Sequence, residues 1–207
     1  LPGWQARVLA RAPVSARHAP LAAGVFLGFD FHLGPDGPRL IEINTNAGGG
    51  LLCAKLLHAQ RACCGVAQGV GPLPAPGSVE VSTCRIAIVD EAPTGQYLWP
   101  EFRLFADLFA QAGIEALIVD PAELAFDGER LRCDGKTVDL VYNRLTDFGL
   151  DAPDNAALRA AYLADAVVVT PHPRAHALYA DKRNLVLLGD DAWLAEIGVS
   201  EADRRVI

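Results

Sequence analysis

Three oxygen-bearing side chains fall in a pattern that suits a metal ion. Asp30 lies in one strand-like run, and Glu42 and Asn44 lie in the next, each alternating with apolar residues. Such alternation gives a β-strand one polar face and one apolar face. If the apolar faces are buried together, the two carboxylates and the amide oxygen meet on the opposite face. An oxygen-only ligand set suits Mg²⁺, so the pattern predicts a magnesium site.

A β-hairpin must position these side chains. Its predicted strands are Val25–Leu33 and Pro38–Asn44, joined by the turn Gly34–Gly37. For the two carboxylates to share a face, the register needs an odd loop count or a glycine bulge, and Gly37 is placed to supply the bulge. The alternative is that the polar residues form the solvated face of an ordinary hairpin.

Arg144 is a second candidate for binding. Asn143 is the last residue of the predicted buried strand Val138–Asn143, and Arg144 follows it directly. Open α/β sheets bind ligands beyond the carboxyl ends of their strands. A guanidinium group at this place can hold a substrate carboxylate through two parallel hydrogen bonds. A surface salt bridge is the alternative of equal weight.

Composition and charge argue against several classes of protein. The chain has 207 residues, 51% of them hydrophobic, and a formal net charge of −7. This charge argues against binding to a nucleic-acid backbone, and no apolar run approaches the roughly 20 residues that cross a bilayer. The five irregularly spaced cysteines suit free thiols in a reducing cytoplasm. Methionine is absent, even at position 1, so we expect a removed start or a piece of a longer chain.

The sequence pattern changes at Cys84. Before it, Gly65–Thr83 is rich in glycine and proline and is predicted to be a linker. After it, strands and helices alternate, which predicts an α/β fold with a mainly parallel, Rossmann-like sheet. The predicted buried strands are Arg85–Asp90, Ile114–Asp120, Val138–Asn143 and Ala166–Thr170. Asp127-Gly128 and Asp134-Gly135 are predicted hairpin turns around a short, polar and exposed strand pair. No G-x-G-x-x-G motif follows the first of them and no P-loop is present, so a simple dinucleotide or P-loop site has no support.

The hairpin sequence resembles that of the ATP-grasp ligases, which include D-alanine–D-alanine ligase and glutathione synthetase. The similarity rests on Asp30, then Glu42-Ile43-Asn44 about a dozen residues later, then a threonine and a Gly-rich turn. The resemblance implies Mg²⁺ or Mn²⁺ and ATP as cofactors, with Asp30, Glu42 and Asn44 holding the metal. It also implies catalytic contacts from the Gly-rich segment to an acyl-phosphate, at Asn46, Gly48 and Gly49.

A second similarity lies near the other end of the chain. Tyr179-Ala180-Asp181-Lys182, with Gly198-Val199 further on, resembles the Asp-Lys segment that leads out of the family's Rossmann-like pre-ATP-grasp domain. This implies a cofactor-binding role for Asp181 and Lys182. In the usual order that domain comes first and the E-x-N strands come last. Here the order is rotated, as in circularly permuted ATP-grasp proteins and, more distantly, glutathionylspermidine synthetases.

The resemblance divides the chain into four parts. These are part of an ATP-grasp domain with the Asp and E-x-N strands at 1–68, a linker at 69–83, a Rossmann-like pre-ATP-grasp domain at 84–189, and the start of a truncated following segment at 190–207. Members of the family clamp the ATP phosphates with lysines near a Gly-rich lid. Of the lysines here, Lys55, Lys136 and Lys182, none falls in such a lid. We therefore expect a fragment of a longer ligase-like protein that lacks much of its nucleotide pocket.

The function that the resemblance implies is ATP-dependent joining of a small carboxylate to an amine or thiol. The carboxylate attacks the γ-phosphate of ATP, and the amine then attacks the acyl-phosphate. Magnesium and backbone N–H groups neutralise the charge of the transferred phosphoryl group. Small-molecule substrates are then the expected partners, in the cytoplasm, without nucleic acid or membrane. The alternative is a non-catalytic α/β binding module for a small ligand or a partner subunit.

Overall fold

A computed structural model describes residues 2–21, 27–64 and 84–207. The predicted linker at 69–83 and the start of the predicted first strand lie outside these residues. The strands are β1 (Gly28–Gly34), β2 (Gly37–Asn44), β3 (Arg85–Val89), β4 (Glu115–Val119), β5 (Leu124–Phe126), β6 (Leu131–Cys133), β7 (Lys136–Thr137), β8 (Leu140–Asn143) and β9 (Val168–Thr170). The helices are α1 (Pro2–Ala10), α2 (Val14–Arg17), α3 (Gly50–Cys64), α4 (Trp99–Gln111), α5 (Ala156–Leu163), α6 (Pro173–Ala175), α7 (Asn184–Leu188), α8 (Asp191–Glu196) and α9 (Glu201–Arg204), with a π-helical turn at His176–Ala180.

The chain folds into two compact units. The hairpin unit consists of residues 1–47, 148–150 and 171–207, and the sheet unit consists of residues 48–147 and 151–170. Each unit therefore draws on segments that are distant in the sequence. The domain boundaries expected from the family resemblance follow chain order instead, and they stay a prediction.

The hairpin unit contains the predicted β-hairpin, with β1 and β2 antiparallel. Gly34 pairs with Gly37 across a two-residue turn, and the register shifts by one residue so that Asp30 pairs with Glu42 while Phe31 pairs with Leu40. The need for a one-residue shift is confirmed, but its predicted position at Gly37 is wrong. Ile41 is the extra, unpaired residue of the bulge. The two-residue turn reverses the chain without a bulge at Gly37, so the bulge lies further along β2.

The apolar face of the hairpin is not buried as the sequence pattern predicted. Phe29, Phe31 and Ile41 are 51%, 43% and 51% exposed. Alternation fixes which residues share a face, but it does not specify what covers that face. The polar face is formed as predicted, since Gly28 pairs with Asn44 two residues before the Asp30–Glu42 pair.

The sheet unit is α/β, with four parallel strands in the order β4-β3-β8-β9. The chain moves outward from β3 to β4 and then returns to β8 on the other side of β3, so the direction of winding switches between β3 and β8. Amphipathic α4 packs its aromatic side chains on the core around Ile88, Phe102 and Tyr142. The Phe105 ring meets the Tyr142 ring edge-on at 4.7 Å, a favourable aromatic geometry.

Two tight hairpins link β5, β6 and β7 into a small antiparallel sheet. The predicted turns at Asp127-Gly128 and Asp134-Gly135 are confirmed, and both glycines have positive φ. The prediction that this strand pair is exposed is wrong, because Leu131 and Cys133 are buried. Strands this short carry too little periodicity to predict burial.

Helices long and apolar enough to cross a membrane are absent from the part of the chain that the structure describes.

Gly28 is required by a close approach within the hairpin unit. A Cβ atom added there would lie 2.8 Å from the Cβ of Ala47, where the chain folds back after β2. We expect Gly28→Ala to lower the free energy of unfolding by about 1–2 kcal/mol, because the backbone must shift to relieve the clash. Urea denaturation followed by circular dichroism measures this change.

Gly34→Ala is the matched control on the same strand. Its added Cβ would have no neighbour closer than 3.8 Å, so the same loss of a glycine creates only ordinary van der Waals contacts. Equal stability of the two variants would contradict the crowding at Gly28.

Candidate functional site

The polar face of the hairpin brings the three predicted metal ligands together. Asp30 and Glu42 are direct cross-strand partners, and the Asn44 side-chain amide donates a hydrogen bond of 3.1 Å to Asp30 Oδ2. Two like charges placed opposite each other on a sheet repel. The amide of Asn44 offsets part of this repulsion by donating to one of the two carboxylates. The second carboxylate needs a different partner.

Lys182 supplies that partner from the other end of the chain. Its Nζ lies 3.4 Å from Glu42 Oε1, with the lysine side chain 70% exposed and the glutamate side chain 33% exposed. The fold thus joins a predicted metal ligand to a predicted cofactor-binding residue that is distant in sequence. An exposed ion pair of this kind contributes little stability, so both groups can exchange their partner for a ligand.

Thr45 and His176 hold these two segments in place. Thr45, which directly follows the E-x-N strand, is buried, and its Oγ1 lies 3.3 Å from His176 Nδ1. The imidazole stacks on the Phe148 ring with the centroids 3.6 Å apart and the planes 8° from parallel. Burial lowers the pKa of His176, although Asp181 opposes this effect. The histidine is therefore neutral near pH 7 and acts as a fixed, flat wall.

The carboxylate of Asp181 is already engaged in a local structure. Arg183 Nε donates to both of its oxygens at 2.9 and 2.8 Å, and the Arg183 backbone N–H donates to Oδ1 at 2.9 Å. These hydrogen bonds lower the pKa of Asp181 below its usual range. Of the predicted Asp-Lys pair, only Lys182 faces the metal candidates. Asn46 lies partly buried in the turn after β2.

The donor set of the hairpin fits a hard cation only in part. Within residues 2–21, 27–64 and 84–207, no group of three or more His, Cys, Asp and Glu is arranged to hold a metal. The hairpin offers two carboxylates and one amide, all oxygen donors. Mg²⁺ is commonly held by one or two carboxylates, with water and phosphate oxygens completing its shell. The residues therefore fit a metal that arrives with a phosphate better than a metal held by protein alone.

In the sheet unit, the Gly-rich turn is closed by a carboxylate that the sequence did not reveal as a site residue. Glu101 is 1% exposed, and its two oxygens accept hydrogen bonds from Gly49 N at 2.5 Å and Leu51 N at 3.0 Å. These N–H groups belong to the start of α3, where a negative charge is favoured. Of the residues to which the family resemblance gives contacts with an acyl-phosphate, Gly49 thus has its backbone N–H occupied by Glu101.

Arg144 lies beside the same turn. A Cβ on Gly48 would come within 2.9 Å of Arg144 Nη2 and 2.5 Å of Leu98 Cδ1, so only glycine fits there. Arg144 is buried, and its guanidinium lies 5.3 Å from the centre of the Tyr142 ring, a cation–π distance. Arg144 therefore does not lie on the surface, where the alternative of a salt bridge had placed it. The structure brings together Gly48, Gly49 and Arg144 from the predicted set.

Asp90 is a further acidic residue at this edge of the sheet. It follows β3, just as Arg144 follows β8, and these two strands flank the switch in winding, where open α/β sheets bind ligands. Asp90 is 8% exposed, and its Oδ1 accepts a hydrogen bond from Glu91 N at 3.0 Å. Burial raises the pKa of Asp90 to about 6. The hydrogen bond from the Glu91 backbone N–H and the charge of Arg144 oppose this rise, and the negative charges of Glu91 and Asp120 add to it.

Sequence reasoning missed Asp90 and Glu101 for different reasons. Asp90 had a readable signal, because it is a polar residue at the end of a predicted buried strand, as Asn143 is. Glu101 had none, since an acidic residue in the first turn of a helix is ordinary. Nothing in the sequence connects it to the start of a helix about fifty residues earlier.

Comparison with known proteins adds no family. No protein-family model matches the chain, and no curated protein matches it.

Asp90→Asn tests the electrostatics of the sheet edge. An aspartate in an unfolded chain has a pKa of about 3.9, below the value of about 6 in the fold. As pH rises from 4 to 6, the unfolded chain releases this proton first, so folding stability falls by roughly 2–3 kcal/mol and stays lower above pH 6. We expect Asp90→Asn to be more stable than the wild type at pH 7.5, with the gap closing towards pH 4.

Urea unfolding at pH 4 and pH 7.5 measures the difference in unfolding free energy between Asp90→Asn and the wild type. Asp107→Asn, an exposed aspartate on α4, is the control and should show no such gap. A gain from Asp90→Asn that is the same at both pH values would contradict the raised pKa.

Glu101→Gln tests the closure of the Gly-rich turn. The amide keeps the shape of the carboxylate but offers only one oxygen to the two N–H groups and removes a buried charge. We expect a loss of about 2 kcal/mol or more in unfolding free energy. Hydrogen exchange of the Gly49 and Leu51 amides should accelerate in this variant, whereas Glu129→Gln, on the exposed β5–β6 turn, should change neither quantity. Unchanged exchange would contradict the capping role.

Proposed function

We propose that this chain is part of a magnesium- and ATP-dependent carboxylate–amine (or carboxylate–thiol) ligase of the circularly permuted ATP-grasp type. The contact between Lys182 and Glu42 carries the proposal. A site for a metal-bound phosphate needs oxygen ligands for the cation and a positive group for the phosphate. The hairpin face has both within one unit, although the residues come from distant segments.

In this proposal Asp30, Glu42 and Asn44 would hold the metal. The metal with its nucleotide would supply the activated phosphoryl group and neutralise its charge. Lys182, released from Glu42, would attract a phosphate oxygen. The bulge at Ile41 has a role in this scheme, because without the register shift Glu42 would face Phe29 in place of Asp30.

The finer fold assignment is part of the same proposal. The hairpin with α3 would be the ATP-grasp portion, and the four-stranded parallel sheet would be the Rossmann-like pre-ATP-grasp domain. The parallel sheet and its switch between β3 and β8 are compatible with this assignment, and they are shared by many α/β proteins.

A second candidate function is a non-catalytic binding module, and the contact of Glu101 favours it. In a ligase of the proposed type the Gly-rich turn would contact the acyl-phosphate. Here Gly49 N and Leu51 N already donate to Glu101. A turn closed in this way supports a structural role for the start of α3, and a phosphate there would have to displace a buried carboxylate.

Manganese binding tests the hairpin site. We expect Mn²⁺, counted by electron paramagnetic resonance of the free ion, to bind at one site per chain. Glu42→Gln should weaken binding by roughly ten- to a hundredfold because it removes a charged ligand. Asp36→Asn makes the same charge change at the turn of the same hairpin and should leave binding unchanged.

Lys182→Met separates a metal–phosphate site from a bare metal site. The ammonium competes with a metal ion for Glu42, so its removal should strengthen binding of free Mn²⁺. It should weaken binding of Mn²⁺–ATP, because a phosphate loses its cation. Glu42→Gln and Asp36→Asn behaving alike, or Lys182→Met leaving nucleotide binding intact, would contradict the proposal.

Turnover distinguishes the ligase from the binding module. ATP hydrolysis that requires both an added carboxylate and an added amine or thiol supports the ligase. Saturable ligand binding without hydrolysis, under the same conditions, supports the module.

A further inference from the structure

A cleft of about 220 Å³ lies in the hairpin unit, and its lining includes none of Asp30, Glu42 and Asn44. Its lining is mostly apolar and small, with four polar side chains among them. The apolar members include Val8, Ala12, Pro13, Ala16, Phe148 and Ala177, and the polar members are Arg11, His176, Asp181 and Arg183. A concave apolar surface with a few placed polar groups is the usual composition of a small-ligand site.

The walls of this cleft are fixed by hydrogen bonds between distant segments. Ser15 Oγ donates to the Gly149 carbonyl at 2.6 Å, and Arg174 Nη1 donates to the Arg17 carbonyl at 3.2 Å. The stacked rings of Phe148 and His176 form one flat wall. The cleft is therefore preformed, which lowers the entropy lost when a ligand binds.

The net charge of the lining is +1 at neutral pH. The Asp181 carboxylate is neutralised by Arg183, which donates to both of its oxygens. His176 is neutral, because burial lowers its pKa. Arg11 remains as the charge that nothing in the lining balances, so the cleft suits a monoanion.

Arg11 has no structural partner among residues 2–21, 27–64 and 84–207. The natural partners for a cation at the end of α1 are its last carbonyl groups. Arg17 occupies the last carbonyl of α1, since its Nη2 donates to Ala10 at 3.3 Å, and its Nε donates to the Ala12 carbonyl just beyond the helix at 3.1 Å. The Arg11 guanidinium, whose fork matches a carboxylate, is thus available to a ligand.

We propose that this cleft is a binding site for a small carboxylate monoanion with a compact apolar or planar body. Arg11 would hold the carboxylate, and the Phe148–His176 wall would pack against the body. The cleft, of about 220 Å³, is of a size that suits a small ligand. The site does not depend on the proposed ligase function.

Ligand-observed nuclear magnetic resonance with benzoate and benzamide tests the site. The two probes have the same shape, but only benzoate is charged, and both are titrated without metal or nucleotide. We expect saturable benzoate binding in the millimolar range and benzamide binding about tenfold weaker or less, because the charge-assisted hydrogen bonds are lost. Arg11→Gln should reduce benzoate binding to the level of benzamide.

Two further variants place the probe. Arg7→Gln removes the same charge one turn earlier on α1, outside the cleft lining, and should leave benzoate binding unchanged. Ala177→Leu fills the cleft and should abolish binding of both probes. Ala12→Leu serves the same purpose if circular dichroism shows that Ala177→Leu is misfolded.

Four results would each overturn the assignment: no saturable benzoate binding, equal affinity for the two probes, equal losses in Arg11→Gln and Arg7→Gln, or binding that survives in the filled cleft. Displacement of benzoate by an equal concentration of inorganic phosphate would also overturn it, since the apolar wall would then have no role. These outcomes are independent of Mn²⁺ binding at the hairpin, so either conclusion can fail without the other.

Discussion

Two carboxylates lie opposite each other on neighbouring strands, and other residues of the hairpin unit must offset the repulsion between them. Asp30 and Glu42 are cross-strand partners, and like charges in this position repel. Asn44 donates to the first and Lys182 lies beside the second. The Thr45–His176 contact lies between the same two segments and helps to hold the later one against the end of β2. A local feature of a hairpin thus depends on residues that the chain supplies much later.

The sheet unit places its charges differently, because they are buried. Glu101 accepts hydrogen bonds from backbone N–H groups at the start of α3, and the Arg144 guanidinium lies over the Tyr142 ring. Burial raises the pKa of Asp90, so part of the population of this carboxyl group is neutral. Structural caps stabilise a fold, whereas a carboxyl group poised near neutral pH is common in functional sites. By this criterion Asp90 is the residue of the sheet edge with the clearest capacity for chemistry.

Local pattern predicted the hairpin, the parallel α/β sheet and the shared face of the polar residues. The position of the bulge could not be predicted from the local pattern. The need for a one-residue shift follows from the alternation of polar and apolar residues, but its place at Ile41 instead of Gly37 depends on the type of turn that joins the strands. The burial of Arg144, the cap by Glu101 and the contact of Lys182 with Glu42 are long-range. One sequence contains no direct signal for such pairs, since periodicity describes only one element at a time.

His176 links the hairpin face and the cleft within one unit. Its Nδ1 faces Thr45, next to the E-x-N strand, while its ring, stacked on Phe148, forms a wall of the cleft. Because burial keeps the imidazole neutral, its role at both places is packing and a single hydrogen bond. A charged imidazole would add one more positive group to a lining that already holds Arg11 and Arg183, so the burial of His176 also sets the net charge of the cleft.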